Sequence, residues 1–300
     1  MIVASESRAR ALLVGYQQTE GPLPMKITHY LLLAAAPFAV ISAPAYAQSE
    51  DEEWEGAYIG GSLGLAAQNN DRRESVLFDT NRDGDFNNGV FTTTGANAFS
   101  TGFCGGAANS RVAADGCRGD RDGLEYNVRA GYDVQQGNIV YGFLLEGGKN
   151  EARDSVTAFS TTPANYTFTR ELEYSAQARA RVGYAARGAL FYATGGAAYG
   201  KIENSFSTSN AANSFANNGK TNSWGYSYGG GTEVKIFDNF TMGLEYLYTN
   251  FVDDDYRVNV GRGTAPATNP FLLNGGGTDF RRSDSDFDMH NIRITAAFRF

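Results

Sequence analysis

The feature that most constrains the fold of this chain is an alternation of apolar and polar residues at successive positions. In residues 124–134, apolar side chains occupy every second position, and charged or polar side chains, or glycine, occupy the positions between them. Successive side chains of a β-strand point to opposite faces, so this pattern indicates a strand rather than a helix. The same alternation recurs in residues 172–184, 224–236, 240–248 and 292–300.

Three further segments, residues 54–66, 139–148 and 189–202, show weaker alternation and bring the predicted strands to eight. The connections between the strands are short at residues 135–138, 186–188 and 237–239, and long at residues 67–122, 150–170, 203–222 and 251–285. A strict succession of long and short connections is typical of a membrane barrel with one rim on each side of the membrane. We therefore predict an all-β, eight-stranded antiparallel transmembrane β-barrel with short periplasmic turns and long extracellular loops, and keep a soluble β protein as the alternative.

The composition is compatible with this fold. The chain contains no run of about 20 apolar residues, which a membrane-spanning helix would need. Its mean hydropathy of −0.35 fits a barrel, because a barrel strand shows only every second side chain to lipid. With 25 basic and 33 acidic residues the chain has no basic surplus for nucleic acid, which we exclude as a partner.

Residues 25–47 are predicted to be a signal peptide. The segment has a basic residue at Lys26, an apolar core and a small-x-small run that ends at Ala47, after which cleavage is expected. An uncleaved anchor is the alternative. Residues 1–24 fit neither part, so we interpret them as an extended or misassigned N-terminus, with Met25 as the expected start and residues 48–300 as the barrel domain.

The polar faces of the strands point to a charge network in the barrel interior, which in a barrel of eight strands is only wide enough for side chains. The predicted members are Glu125, Arg129, Asp133, Glu146, Glu173, Arg179, Arg181, Glu233, Lys235, Glu245, Arg293 and Arg299. Six acids oppose six bases in this set. Because an unpaired buried charge is costly, the balance favours a mutually paired plug over an ion-selective channel. Chance balance of a merely polar lumen is the alternative.

Two features stand out in the first long connection. Cys104 and Cys117 lie beyond the predicted cleavage site, where an oxidising compartment favours a disulfide; two free thiols are the alternative. Asp79, Asn81, Asp83 and Asp85 follow the spacing of a calcium loop around Gly84, but Val90 stands where a bidentate Glu would complete the site. A solvated turn is the alternative to a Ca²⁺ site.

The sequence offers little for catalysis. The predicted mature chain has one histidine, His290, with Ser283 and Ser285 upstream, and no serine nucleophile at close spacing. We predict that the protein is not an enzyme, and that His290 is a lone residue at the outer end of a strand. The acidic run 253–255 is expected to keep a loop solvated or to hold divalent ions that bridge lipopolysaccharide.

Four segments carry a family resemblance: WEGAYIGGSLG, YATGGAAYG, GGGTEVKIFDNFTMGLEYLY and NIRITAAFRF. They resemble the outer-membrane β-barrel family of alphaproteobacterial surface antigens, which is often called porin-like and is related in architecture to the opacity proteins and the barrel domain of outer membrane protein A. The last run also looks like the signal read by the barrel-assembly machinery, with Phe298 and Phe300 at alternate positions. The resemblance implies residence in the outer membrane and brings no catalytic residue.

Three functions follow as alternatives: a structural and surface-interaction barrel with a plugged lumen, a narrow porin, and, more distantly, a lipid-modifying enzyme at the rim. The expected partners are outer-membrane lipid, lipopolysaccharide and, during biogenesis, the barrel-assembly machinery. The extracellular ligand is unknown from sequence, no cofactor other than Ca²⁺ is indicated, and a monomer is expected because nothing marks an interface.

Overall fold

The computed structural model describes residues 54–68 and 73–300, which form an all-β structure. The predicted signal peptide and the residues before it lie outside the described residues. The strands, in chain order, are β1 (Gly56–Gln68), β2 (Val76–Asp79), β3 (Phe103–Gly105), β4 (Ala107–Ala108), β5 (Cys117–Arg118), β6 (Gly123–Gln136), β7 (Ile139–Asn150), β8 (Arg153–Ser160), β9 (Ala164–Ala186), β10 (Ala189–Thr208), β11 (Ser214–Asn217), β12 (Thr221–Phe237), β13 (Phe240–Val252), β14 (Val258–Gly261), β15 (Thr278–Arg282) and β16 (Asp286–Arg299). Among the described helical segments, none is long and apolar enough to cross a membrane.

Eight of these strands close into an antiparallel barrel. They are hydrogen-bonded in the order β1, β6, β7, β9, β10, β12, β13 and β16, and β16 returns to pair with β1. Each barrel strand contains or overlaps one of the eight segments of alternating polarity. The predicted eight-stranded barrel is therefore confirmed.

One rim of the barrel consists of tight hairpins. Only two residues separate β6 from β7, β9 from β10, and β12 from β13. In the second of these turns both residues have positive φ angles, 51° at Arg187 and 76° at Gly188, as the type I′ turn of a two-residue hairpin requires. These three turns match the predicted short connections and mark the periplasmic rim.

The outer wall of the barrel is apolar and aromatic. Val128 and Trp224, which the alternation assigns to lipid, are 72% and 70% exposed in the isolated chain. Arg129, next to Val128, and Ser223, next to Trp224, point inward and are buried. A shift of one residue in register would exchange these faces and place the charges against lipid at a cost of about 2–4 kcal/mol for each Arg or Lys at mid-depth.

The long connections fold into a second layer of structure, here called the cap. The cap comprises β2–β5, β8, β11, β14, β15, the connections between them, and the outer parts of β9 and β10. A four-stranded sheet in the order β11, β14, β15, β2 joins segments from three different connections. Between this sheet and β8–β9 lies a hydrophobic core made of Val76, Phe78, Val90, Ala98, Phe99, Val156, Ala158, Ala164, Tyr166, Phe168, Tyr256, Val258, Val260, Phe271 and Phe280.

Candidate functional site: the barrel lumen

A cluster of six charged side chains fills the middle of the lumen. It contains three carboxylates and three guanidinium groups: Glu125, Arg129, Glu146, Arg179, Glu245 and Arg293. All six side chains are at most 6% exposed, and together they come from β6, β7, β9, β13 and β16. The central cluster therefore joins strands from opposite sides of the barrel and has no net formal charge.

Glu245 is the hub of this central cluster. Its Oε1 accepts hydrogen bonds from Arg293 at 2.5 and 2.7 Å and from Arg129 at 2.9 Å, and its Oε2 accepts one from the Tyr192 hydroxyl at 2.8 Å. Arg179 contributes at longer range, with Nη2 3.2 Å from Glu146 and Nη1 3.5 Å from Glu245. Every arginine of the cluster thus lies within ion-pairing distance of Glu146 or Glu245.

A second cluster lies nearer the periplasmic rim and contains Asp133, Arg181, Glu233 and Arg299. Arg181 binds both oxygens of Asp133 and donates to Glu233 at 2.8 Å, while Arg299 donates to Asp133 at 2.8 Å. Trp54, which precedes β1, closes this end of the lumen: it is 1% exposed and its ring lies 4.9 Å from the Arg299 guanidinium. The formal charges of these two carboxylates and two guanidinium groups again sum to zero.

The extracellular half of the lumen contains an apolar layer. Its members are Leu172, Ala198, Ile202, Phe251, Phe287 and Met289, all buried. Gly200 makes room in this layer, because a Cβ at that position would lie 2.9 Å from atoms of both Leu172 and Phe251. The apolar layer thus lies on the extracellular side of the two ion clusters.

Above the apolar layer, a third ion-paired group joins the cap to the barrel mouth. Arg282 of β15 donates to Glu74 at 2.6 and 2.7 Å and to Asp154 at 2.9 Å, and Arg170 of β9 donates to Asp154 at 2.6 Å. Burial opposes the ionisation of Asp154, but Arg282 and Arg170 outweigh it and lower its pKa. We call Glu74, Asp154, Arg170 and Arg282 the latch.

Asp120 lies beside the latch and accepts a hydrogen bond from the backbone N–H of Ser155 at 2.8 Å. Burial, followed by the nearby Asp154 carboxylate, raises the pKa of Asp120 to about 7. Burial likewise raises the pKa of Glu74, although Arg282 acts in the opposite direction. Asp120 and Glu74 therefore bind a proton more readily in the folded protein than they would in water.

Of the predicted lumen network, Glu173 lies outside the lumen and Lys235 lies at its periplasmic end. Glu173 is on the outer surface, because β9 bulges opposite Lys201 and Ile202, so that Leu172 turns inward and Glu173 outward. There Glu173 pairs with Lys220 at 2.8 Å. Lys235 is half-buried at the periplasmic end, with its ammonium 5.6 Å from the Trp54 ring. The inclusion of Glu173 in the lumen was therefore wrong.

The lumen also holds polar residues that the sequence did not single out. Tyr192 bonds Glu245, and Asn127 donates to Glu125 at 2.9 Å and to Ser62 at 3.1 Å. Tyr192 and Ser62 lie on strands with weak alternation, where no face could be assigned. Asn127 is the exception, because its position between Glu125 and Arg129 already placed it on the inner face.

The features of the first long connection are both in the cap. Cys104 in β3 and Cys117 in β5 are joined by a disulfide. The Asp79 carboxylate accepts backbone N–H groups from Arg82 at 2.6 Å and from Gly84 at 2.8 Å. Asn81 donates to Asp83 at 2.6 Å, and Asp85 is exposed. Within residues 54–68 and 73–300, no group of three or more His, Cys, Asp or Glu side chains is arranged to hold a metal ion.

The last strand places its two aromatic residues on the outside. Phe298 is 52% exposed and its ring lies 4.9 Å from that of Phe240, and Phe300 is 81% exposed. His290, on the same strand, also lies on the outer wall, where its Nδ1 is 2.7 Å from the Tyr246 hydroxyl. Its ring lies 5.2 Å from the ring of Tyr248, so the histidine is part of an aromatic belt.

Comparison with known proteins agrees with this architecture. The chain is 31% identical over 159 residues to a 22 kDa outer membrane protein of Rhizobium leguminosarum bv. viciae, covering 53% of this chain and 67% of the relative. It is 29% identical over 266 residues to a 31 kDa outer-membrane immunogenic protein of Brucella melitensis biotype 1, covering 86% of this chain and 89% of the relative.

Among solved structures, the outer membrane protein OprG from Pseudomonas aeruginosa matches with a TM-score of 0.47 and 10% identity, over 84% of this chain and 100% of that chain. The family model for the outer membrane protein beta-barrel domain matches residues 33–300. This chain is thus a cell outer-membrane protein that belongs to the outer membrane protein beta-barrel domain family.

Proposed function

We propose that this protein is a plugged, non-conducting barrel whose role is structural and whose cap presents a folded surface to the environment. The observation that carries the proposal is the central cluster, in which three carboxylates and three guanidinium groups are paired across the lumen and almost fully excluded from solvent. A solute could pass only if these pairs separated. Breaking a buried ion pair costs about 3–5 kcal/mol.

Two further features support closure. The periplasmic end is covered by Trp54, and the extracellular half of the lumen is sealed by the apolar layer around Phe251 and Ile202. An ion would have to give up much of its hydration shell to cross this layer, because the six members of the layer have apolar side chains. The lumen therefore fits a plug better than a narrow porin.

The surface role is supported by the cap. Its core buries fifteen residues, a size that favours a fixed surface over a set of independent loops. The Brucella relative is named an immunogenic protein, which fits a part that faces outward.

Planar bilayer recordings of purified, refolded protein test the plug. We expect no reproducible single-channel steps from the unaltered protein. Since protein that fails to insert is also silent, the inserted molecules must be counted, for example by fluorescence of a label on the cap. Reproducible steps that scale with the number of inserted molecules would favour the porin.

We expect no catalytic role at the rim. The Nδ1 of His290 is engaged by the Tyr246 hydroxyl, and its ring lies in the lipid-facing aromatic belt. Replacing His290 with Ala should leave the lipid composition of the outer membrane unchanged. Loss of a modified lipid species in the H290A strain would instead identify a lipid-modifying enzyme.

A further inference from the structure

The lysines of this protein are unevenly placed. The sequence has five lysines, at positions 26, 149, 201, 220 and 235, and the inward-facing cations of the lumen clusters are all arginines. Within the described residues, Lys149, Lys201 and Lys220 lie on one side of the barrel. Lys149 is near the extracellular end of β7, Lys201 lies within β10 beside the bulge of β9, and Lys220 immediately precedes β12. Lys235 lies at the periplasmic end.

Lys149 and Lys201 flank one aromatic residue, Tyr174. Lys201 is the register partner of Tyr174, and its ammonium lies 5.8 Å from the tyrosine ring. On the other side, Gly148 pairs with Ser175, so the next residue, Lys149, lies beside Tyr174. Tyr174 is 44% exposed, so the two lysines flank an outward-facing ring.

This level of the wall corresponds to the boundary of the membrane. Tyr199 and Trp224, two residues nearer the membrane centre, contact each other with ring centroids 5.2 Å apart, and Trp224 is 70% exposed. Aromatic belts of this kind lie at the level of the lipid headgroups. Lysine is suited to such a position because its aliphatic stem lies along the apolar wall while its ammonium reaches the headgroups.

Two of the nearby carboxylates lie farther from the membrane than Lys201. Glu171 and Glu203 pair in register, two residues beyond the level of Lys201, which corresponds to about 6–7 Å along a strand. Glu173 lies at the bulge and contacts both Lys201, at 3.5 Å, and Lys220, at 2.8 Å. Lys149 and Lys201 therefore lie nearer to the lipid than Glu171 and Glu203, whereas Lys220 lies at the level of Glu203, 3.5 Å from its carboxylate, and Glu173 orients Lys201 and Lys220.

We propose that Lys149 and Lys201, with Tyr174 between them, form a docking surface for the phosphorylated sugar headgroup of an outer-leaflet glycolipid. The two ammonium groups would bind the phosphates, the Tyr174 ring would pack against the sugar, and the acyl chains would lie along the aromatic wall below. Lys220, which pairs with Glu173 and lies farther from the membrane than Lys201, would face the more distal sugars. The surface depends on the location of the barrel in the outer membrane and not on whether its lumen conducts.

Lysine footprinting of the unaltered protein tests this surface directly. The refolded barrel in detergent is acylated with an amine-reactive reagent, with and without purified bisphosphorylated lipid A, and each lysine is quantified by mass spectrometry. We expect lipid A to slow the modification of Lys149 and Lys201 at least fivefold and to leave Lys235 unchanged. Equal modification of Lys149 and Lys201 with and without lipid A would overturn the proposal.

Matched variants test the role of the charge. K149Q/K201Q should bind bisphosphorylated lipid A about 10-fold or more weakly than the unaltered protein, since each lysine contributes several-fold near an anionic surface. K149R/K201R and the periplasmic control K235Q should bind normally, and heat-modifiable gel migration verifies that each variant is folded. Unchanged affinity of K149Q/K201Q, or equal affinity of the unaltered protein for dephosphorylated lipid A, would contradict phosphate recognition.

Discussion

Replacing Glu245 with Gln should be among the most destabilising single changes in the lumen. The side chain is completely buried and contacts Arg129, Arg179, Arg293 and Tyr192. Glutamine keeps the shape but removes the charge, so three buried guanidinium groups would face only Glu125 and Glu146. Loss of one partner from a buried ion pair costs about 3–5 kcal/mol. We expect a loss of that size in the free energy of unfolding.

The assay is urea unfolding of the barrel in lipid vesicles, followed by tryptophan fluorescence and by heat-modifiable gel migration. E173Q is the matched control, because Glu173 is paired only at the outer surface, and it should unfold at nearly the same urea concentration as the unaltered protein. E245Q/R293Q restores the charge balance and should recover part of the loss. If E245Q loses less than about 1 kcal/mol, a value typical of surface pairs, the central cluster does not stabilise the barrel as argued.

The remaining predictions concern packing, pH and calcium. Gly142→Ala should destabilise the barrel by about 1–3 kcal/mol, because the added Cβ would lie 2.3 Å from Asp133 Oδ1. Gly147→Ala is the control and should not destabilise it, because the atom nearest to its Cβ is 3.8 Å away. Equal urea midpoints for the two variants would contradict this expectation. The pKa of Asp120 is raised from 3.8 to about 7, so its protonated form stabilises the cap below pH 4, and that contribution is lost as the pH rises through 7. Proteolysis of the cap should therefore be faster at pH 8 than at pH 5, and Asp120→Asn should reduce the difference; an undiminished difference would assign it to other groups. Ca²⁺ should leave the thermal unfolding of the cap unchanged, because no group of three or more His, Cys, Asp or Glu side chains within residues 54–68 and 73–300 is arranged to hold a metal ion. A Ca²⁺-specific rise in Tm that Asp79→Asn abolishes would instead establish the calcium loop.

The barrel could be predicted from sequence because each of its strands carries a local signal. In β6 the alternation runs unbroken from Leu124 to Asp133, and a register error would place Arg129 in lipid. The short connections follow from the points at which the alternation stops, and in the turn Arg187–Gly188 the glycine is a residue type that readily adopts a positive φ angle. The faces of these strands follow from the same rule.

The bulge and the cap could not be predicted in this way. A bulge at Glu173 reverses the alternation for the rest of the strand, and only the pairing with β10 reveals it. The strands β2, β14 and β15 have four or five residues each, too few for a periodic signal. Their partners lie far away in the sequence, as in the pairing of Phe78 with Phe280, so the core of the cap exists only once the barrel has brought the connections together.

The four-stranded sheet of the cap has a consequence for antibody recognition. The outer face of this sheet is composed of residues from segments that lie up to about two hundred positions apart, such as Leu77 beside Arg281, both of which are partly exposed. Antibodies against this face would therefore recognise discontinuous epitopes, and short peptides copied from a single connection would not reproduce them. Natural variation in one connection would also have to be matched in the others, because a change in one strand of the sheet alters the packing of its neighbours.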